Sequence, residues 1–252
     1  MTRRVPLLPT LVVLAAATLA LLLSSCTDKA PDYRYELGVE IETPNGVRSG
    51  SSVIEVKRLL VRPGNAPAGL GVESRFRGEA VPVDLPDGRT VFALLRSTVS
   101  SDWPAFLMPS LAPRKKGESY VETLDNVLLV TEKVSVPRNW HSVTGVGPSA
   151  YPMLVTFRDI NDPTTVKLLD PDHLDDEFGP GVSLKRITVR ITDAPVTTDI
   201  EDRLKWLSRV ADAGGGLIPM VKNRQGRYEI APGYDPALVI VGASNFSSEI
   251  YK

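Results

Sequence analysis

Cysteine and histidine are nearly missing: the 252 residues include Cys26 alone and two histidines, His141 and His173. A lone cysteine cannot close a disulfide within the chain, and a tetrahedral zinc site of Cys and His needs more ligands than these. No H-E-x-x-H pair and no G-x-S-x-G elbow occurs. Charge of one sign is lacking as well. With 29 basic and 30 acidic side chains the net charge is −1, which gives no pull towards nucleic acid or an anionic surface. Long apolar runs are also absent. The longest, Leu11 to Leu23, has 13 residues with Thr18 its one polar side chain, short of the roughly 20 that a bilayer-spanning helix needs. Pro6 and Pro9 obstruct its extension towards the amino end.

What is present begins with that run. Arg3 and Arg4 precede it, no acid appears before Asp28, and Ser24 and Ser25 close it. This is the basic, apolar, small-residue order of a secretory signal, with an uncleaved anchor helix as the alternative. Leu23-Ser24-Ser25-Cys26 resembles the lipobox of bacterial lipoproteins. The resemblance implies cleavage before Cys26 and attachment of a diacylglycerol thioether and an amide-linked acyl chain there. Each buried methylene contributes about 0.8 kcal/mol, so two or three chains anchor a protein almost permanently. Thr27 stands where lipoproteins kept in the inner membrane often have Asp. The resemblance therefore implies the periplasmic face of an outer membrane, or else the inner membrane through the lipid or an uncleaved helix. Residues 1–25 are read as signal peptide and 26–32 as a polar tether. Apart from the covalent lipid on Cys26 no cofactor is expected. The expected partners are the membrane, through that lipid, and another envelope protein, with no nucleic acid. Without the leader, 27 basic face 30 acidic side chains.

From residue 33 the chain alternates. Tyr33, Tyr35, Leu37, Val39 and Ile41 share one face and Arg34, Glu36, Glu40 and Glu42 the other, as in a half-buried strand. Pro44-Asn45-Gly46 predicts a turn and Ile54 to Lys57 a return strand. Val81 to Leu85 and Val91 to Leu95 flank Pro86-Asp87-Gly88 as a second hairpin, and Arg62 to Gly71 reads as a loop. Asp102 can cap a short helix carrying Phe106, Leu107 and Met108, and Ser119 with Glu122 forms a capping box before Leu124, Val127 and Leu128. Met153 to Phe157 and Ile187 to Ile191 are strands. Between them Asp170 caps a helix with Pro171 at its first position, Leu174 and Phe178 inward and Gly179-Pro180 as a stop. Thr198 and Glu201 open another, with Ile200, Leu204, Leu207 and Ala211 inward and Gly214 to Gly216 ending it. A hairpin turning at Gln225-Gly226 and a strand over Leu238 to Val241 complete the reading. The fold class is α+β, a mainly antiparallel sheet built from hairpins with a few short helices packed on it. One domain covers 33–241, with 136–150 as the seam if there are two, and 242–252 is a flexible tail.

The stretch Tyr151 to Leu207, through "TFRDINDPTTV", "FGPGVSLKRITV" and "DAPVTTDIEDRLKWL", resembles a family of uncharacterised proteobacterial lipoproteins or secreted proteins. That resemblance implies a domain and carries no activity.

Chemistry-bearing patterns are few. Gly145 to Ala150 spells G-x-G-x-x-A, but Pro148 and Pro152 and a following strand deny it the helix that a dinucleotide fingerprint needs. It reads as a loop. Asp170, Asp172, Asp175, Asp176 and Glu177 could offer oxygens to a hard cation, although Leu174 sits where a third ligand belongs. Acids in a first helical turn also oppose the helix dipole, which is the reading we take. Asp159, Asn161 and Asp162 read as a turn. Any two of Asp159, Asp170 and Glu177 could act as acid and base if about 5–9.5 Å apart across a cleft. No catalytic, cofactor or metal residue is assigned. Three function classes stand: a non-enzymatic accessory or interaction module of an envelope assembly, favoured here; an envelope hydrolase with scattered residues; and a ligand or ion carrier with a roomy apolar pocket.

Overall fold

Strand β1 (Tyr33–Glu42) buries every second residue, from Tyr33 to Ile41, as its alternation dictates. Thr43 Oγ1 accepts from Asn45 N, and Gly46 takes φ +95°, turning the chain into β2 (Arg48–Leu60). The computed structural model describes residues 30–60, 71–118, 123–142 and 145–250. The fold is α+β, as the sequence leads one to expect, and every strand pair is antiparallel.

Next come β3 (Val72–Arg77), β4 (Val81–Asp84), β5 (Thr90–Ala93), β6 (Val134–Ser135), β7 (Asn139–Ser142), β8 (Gly145–Ser149), β9 (Leu154–Phe157), β10 (Val166–Leu169), β11 (Ser183–Ile191), β12 (Met220–Lys222) and β13 (Tyr228–Ile230). One sheet has the order β3-β2-β1-β11-β6, the other β10-β9-β5-β4, and β7-β8 and β12-β13 are two-stranded ribbons. Each sheet combines strands from both sides of residues 136–150. The sheets face one another. They meet closely where β2 crosses β4: a Cβ on Gly50 would lie 1.9 Å from the Pro82 carbonyl oxygen, so only glycine fits.

Between the sheets lies a core of Leu37, Val39, Ile41, Ile54, Val83, Val91 and their neighbours. It is closed at one end by helix α1 (Trp103–Leu111), whose Pro104 and Ala105 carbonyls accept from the hydroxyls of Tyr35 (2.9 Å) and Tyr33 (3.5 Å). The second sheet is buried on both faces, since β5 and β9 have no exposed position. Behind it Phe92, Val155 and Phe157 meet a layer built from α3 (Ile200–Arg203), α4 (Leu207–Asp212) and the carboxyl-terminal segment. Helix α2 (Asp175–Phe178) lies in the turn before β11.

Several expectations are corrected. The tether does not extend to residue 32, because Ala30 is buried and Asp32 Oδ1 accepts from Arg58 N at 2.9 Å. Asp102 makes no side-chain cap bond, although the helix after it forms. Ser119 and Glu122 lie outside the described residues; beyond them is a 3-10 turn, Asp125–Leu129. Gly145–Ser149 is a strand, its backbone paired with β7. The helix predicted from Pro171 starts at Asp175, because Asp170 Oδ1 accepts from Asp172 N and holds a turn first. The helix from Ile200 to Ala211 is broken into α3 and α4, although its four apolar positions are all buried. Leu204 caps the first piece, and Trp206, before the second, donates from Nε1 to the Ile160 carbonyl at 2.8 Å. Pro236–Ile240 is a 3-10 turn, with Asp235 Oδ1 accepting from Ala237 N. The expected loose tail is packed as far as residue 250: Phe246 and Ser247 are fully buried, and Arg77 grips Glu249 through two bonds of 2.8 and 2.9 Å.

Candidate binding cleft

Arg138, just before β7, reaches the turn after β10. Its Nε and Nη2 donate to the Asp172 carboxylate at 2.7–3.0 Å, a bidentate pair, and its Nη1 donates to Ser149 Oγ at 2.5 Å. The guanidinium also lies over the Tyr151 ring, 5.4 Å from its centroid, a cation–π distance. The Asp172 hydrogen bond holds Arg138 above the usual arginine range and, reciprocally, draws Asp172 below that of a carboxyl. Burial pushes the Tyr151 phenol up.

Beside this pair opens a cleft of about 380 Å³, with Tyr151, Met153 and Leu168 as apolar wall and Arg138, Asp170 and Asp235 among its polar groups. Ser149 Oγ accepts from Arg138 and from Tyr151 N (3.2 Å). Its oxygen is thus occupied by two donors, whereas a nucleophile needs a base to take its proton. Asp170 and Asp235 each lend one oxygen to a backbone amide. Arg138 is neutralised by Asp172, so the remaining carboxylates give the rim an acidic bias. Such a rim can accept hydrogen bonds from a cationic or amide group beside the Tyr151 ring.

The five acids expected to share a helix face are dispersed. Asp170 and Asp172 serve this cleft. Glu177 accepts from Lys167 Nζ and from Arg89 Nη1 (3.3 Å), while Asp175 and Asp176 are exposed. Among the described residues no three His, Cys, Asp or Glu side chains are grouped to hold a metal ion. Asp159 and Asp162 accept from Asn161 N and Thr164 N, both at 2.9 Å, building a turn. His173 is exposed; His141 lies on β7, and its side chain and Cys26 are outside the described residues. Sequence reading did not single out Arg138, Ser149, Tyr151 or Asp235. Ser149 falls only at a variable position of the Gly145 to Ala150 pattern, the other three belong to no chemical motif, and Arg138 and Asp172 are joined only by folding.

Away from the cleft, one buried ionisable group stands out. Glu79 is almost inaccessible, with Oε2 accepting from Ile200 N (2.9 Å) and Oε1 from Ser247 Oγ (3.4 Å). Burial raises its pKa to about 7, against the lowering pull of the Ile200 and Asp199 amides. It fastens the back layer to the sheets. Among the described residues no helix is long and apolar enough to cross a membrane. Comparison with family models, curated proteins and solved structures finds no match for this chain.

Proposed function

We propose that this chain is a lipid-anchored protein of a bacterial envelope, seated at the periplasmic face of an outer membrane, whose folded domain is a non-enzymatic interaction module of an envelope assembly. The observation that carries the reading is the lone cysteine directly after an apolar run and Leu23-Ser24-Ser25. Support for the module comes from the cleft, where Arg138, Asp172 and Ser149 spend their bonding capacity on one another. An acidic rim with an aromatic wall is suited to gripping a side chain of another protein, the class of contact for which paired charges and rings serve as anchors.

The test has two arms. Cys26→Ala should abolish incorporation of a fatty-acid probe; equal labelling of variant and wild type would overturn the anchor. Affinity purification of the lipidated chain from its own envelope should recover a partner assembly, and Asp170→Asn with Asp235→Asn should reduce that recovery. A solitary protein that cleaves a cell-wall or ester substrate, and loses the activity on His141→Ala, would place it among hydrolases instead.

A further inference from the structure

Only Thr27, Asp28 and Lys29 separate Cys26 from Ala30. An extended chain spans at most about 3.6 Å per residue, so Cys26 reaches no further than about 14 Å from Ala30. Ala30 is itself fixed on the domain. It is 5% exposed, Asp32 holds Arg58 N, and Tyr33 bonds to α1. A lipid on Cys26 would therefore select which end of the domain meets the bilayer.

Among the described residues, that end carries exposed apolar side chains. Tyr33 pairs with Val56, and its hydroxyl places α1 over the core-facing side of this end of the strands. On α1, one residue beyond the carbonyl that receives the Tyr33 hydroxyl, Phe106 is 51% exposed. Packed against α1 is the 3-10 turn Asp125–Leu129, whose Leu128 and Leu129 are 41% and 63% exposed. It is tied to the same end by Arg58 Nη1, which donates to the Leu124 carbonyl at 2.8 Å. Arg114, Lys115 and Lys116 follow α1 and are exposed. Solvated apolar side chains gathered in one patch mark a contact surface, and side chains of this kind enter the headgroup–acyl boundary when a chain is held there.

We propose that Phe106, Leu128 and Leu129 form a seat that rests on the lipid bilayer, orienting the domain rather than leaving it to swing on its anchor. The proposal rests on the reading of Cys26 as the acylated residue. The seat is apolar through its exposed side chains, and Asn126 Nδ2, bonded to the Pro113 carbonyl, keeps the exposed Arg114 to Lys116 near it, able to meet headgroup phosphates. The β1–β2 turn at Asn45 lies the length of a ten-residue strand away, about 33 Å at 3.3 Å per residue.

Acylation of Cys26 leaves no free thiol, so Phe106→Cys, Leu129→Cys and Asn45→Cys each offer a single labelling site in the full chain. The purified acylated protein, labelled with a fluorophore, is reconstituted into phosphatidylcholine vesicles containing nitroxide lipids, with and without phosphatidylglycerol. Labels at 106 and 129 should be quenched by the nitroxide lipids even without phosphatidylglycerol, and the label at 45 should keep its emission. An acylated, vesicle-bound chain whose labels at 106 and 129 behave like that at 45 overturns the seat while the anchor stands. Labels shielded from aqueous iodide yet untouched by nitroxide lipid would mean that protein covers the patch, which also overturns it. A chain whose mass carries no acyl group, and which does not float with vesicles, fails at the anchor and takes the seat with it.

Discussion

The two faces of the second sheet bury different chemistry in different ways. Its front face meets the first sheet across a mainly aliphatic core, supplied by strands that alternate by the rules of the pleat. Its back face meets short helices, turns and the carboxyl-terminal segment across an aromatic cluster. There Phe92, Phe157, Trp206 and Phe246 sit with ring centroids 5.6–5.8 Å apart, several of them edge to face. Such ring pairs add about 0.5–1.5 kcal/mol each beyond their buried area. In front, ladder hydrogen bonds join the strands whose side chains form the core. Behind, individual groups from distant parts of the chain hold the layer on, Glu79 with Ile200 and Trp206 with Ile160, while Arg203 meets Asp84 at the surface.

Breaking the back core should have the largest effect. Phe246 is fully buried among three rings; Phe246→Ala should cost about 3–5 kcal/mol, measured by urea unfolding, and a loss below about 1 kcal/mol would mean that the segment is dispensable. Glu79 comes next, through pH. Its folded pKa of about 7 lies above its ordinary value of 4.5, so the folded state holds the proton more tightly than the unfolded chain. The resulting stabilisation is complete below about 4.5 and gone above about 7. Relative to Glu79→Gln, which does not titrate, wild type should therefore lose on the order of 2 kcal/mol between pH 4.5 and pH 8. Parallel stability curves for the two proteins would contradict this.

The front core supplies the contrast. Tyr35→Phe keeps the ring but strands the Pro104 carbonyl that the hydroxyl serves at 2.9 Å; about 1 kcal/mol should be lost, with the melting transition still single. The smallest effect belongs to the Arg203–Asp84 pair. It is bidentate, at 2.8 and 3.0 Å, but its side chains are 40% and 58% exposed. Arg203→Met should change stability by less than about 1 kcal/mol. A larger loss in a thermal scan would make this pair a true fastening of the back layer.

The same division decides what could be read from the sequence. The front was legible, because the alternation in β1 and the turns at Asn45-Gly46 and Asp87-Gly88 are local signals. The back was only half legible. Ile200, Leu204, Leu207 and Ala211 are buried as their spacing demands, yet the helix they imply is broken near Trp206, whose indole is bonded to Ile160. Phe246 stands alone among polar residues in "ASNFSSEI", so nothing nearby marks it as core. The cleft was least legible. Asp170 and Asp172 were noticed as part of an acidic run, but the partner that gives Asp172 its role, Arg138, lies 34 positions away. Pairs that only the fold brings together leave no spacing to read.

The place of β1 also sets an order of events in time. This strand comes first in the folded domain, yet it lies at the centre of its sheet, with Tyr35 opposite Ile191. It can form a hairpin with β2 at once, but its other edge stays open until most of the chain has arrived, and closing so long a loop is slow. A chain delivered amino end first must therefore wait with a bare strand edge. Until Phe246 follows, the cluster of Phe92, Phe157 and Trp206 lacks its fourth ring, so the unfinished protein exposes an aromatic surface that the finished one hides.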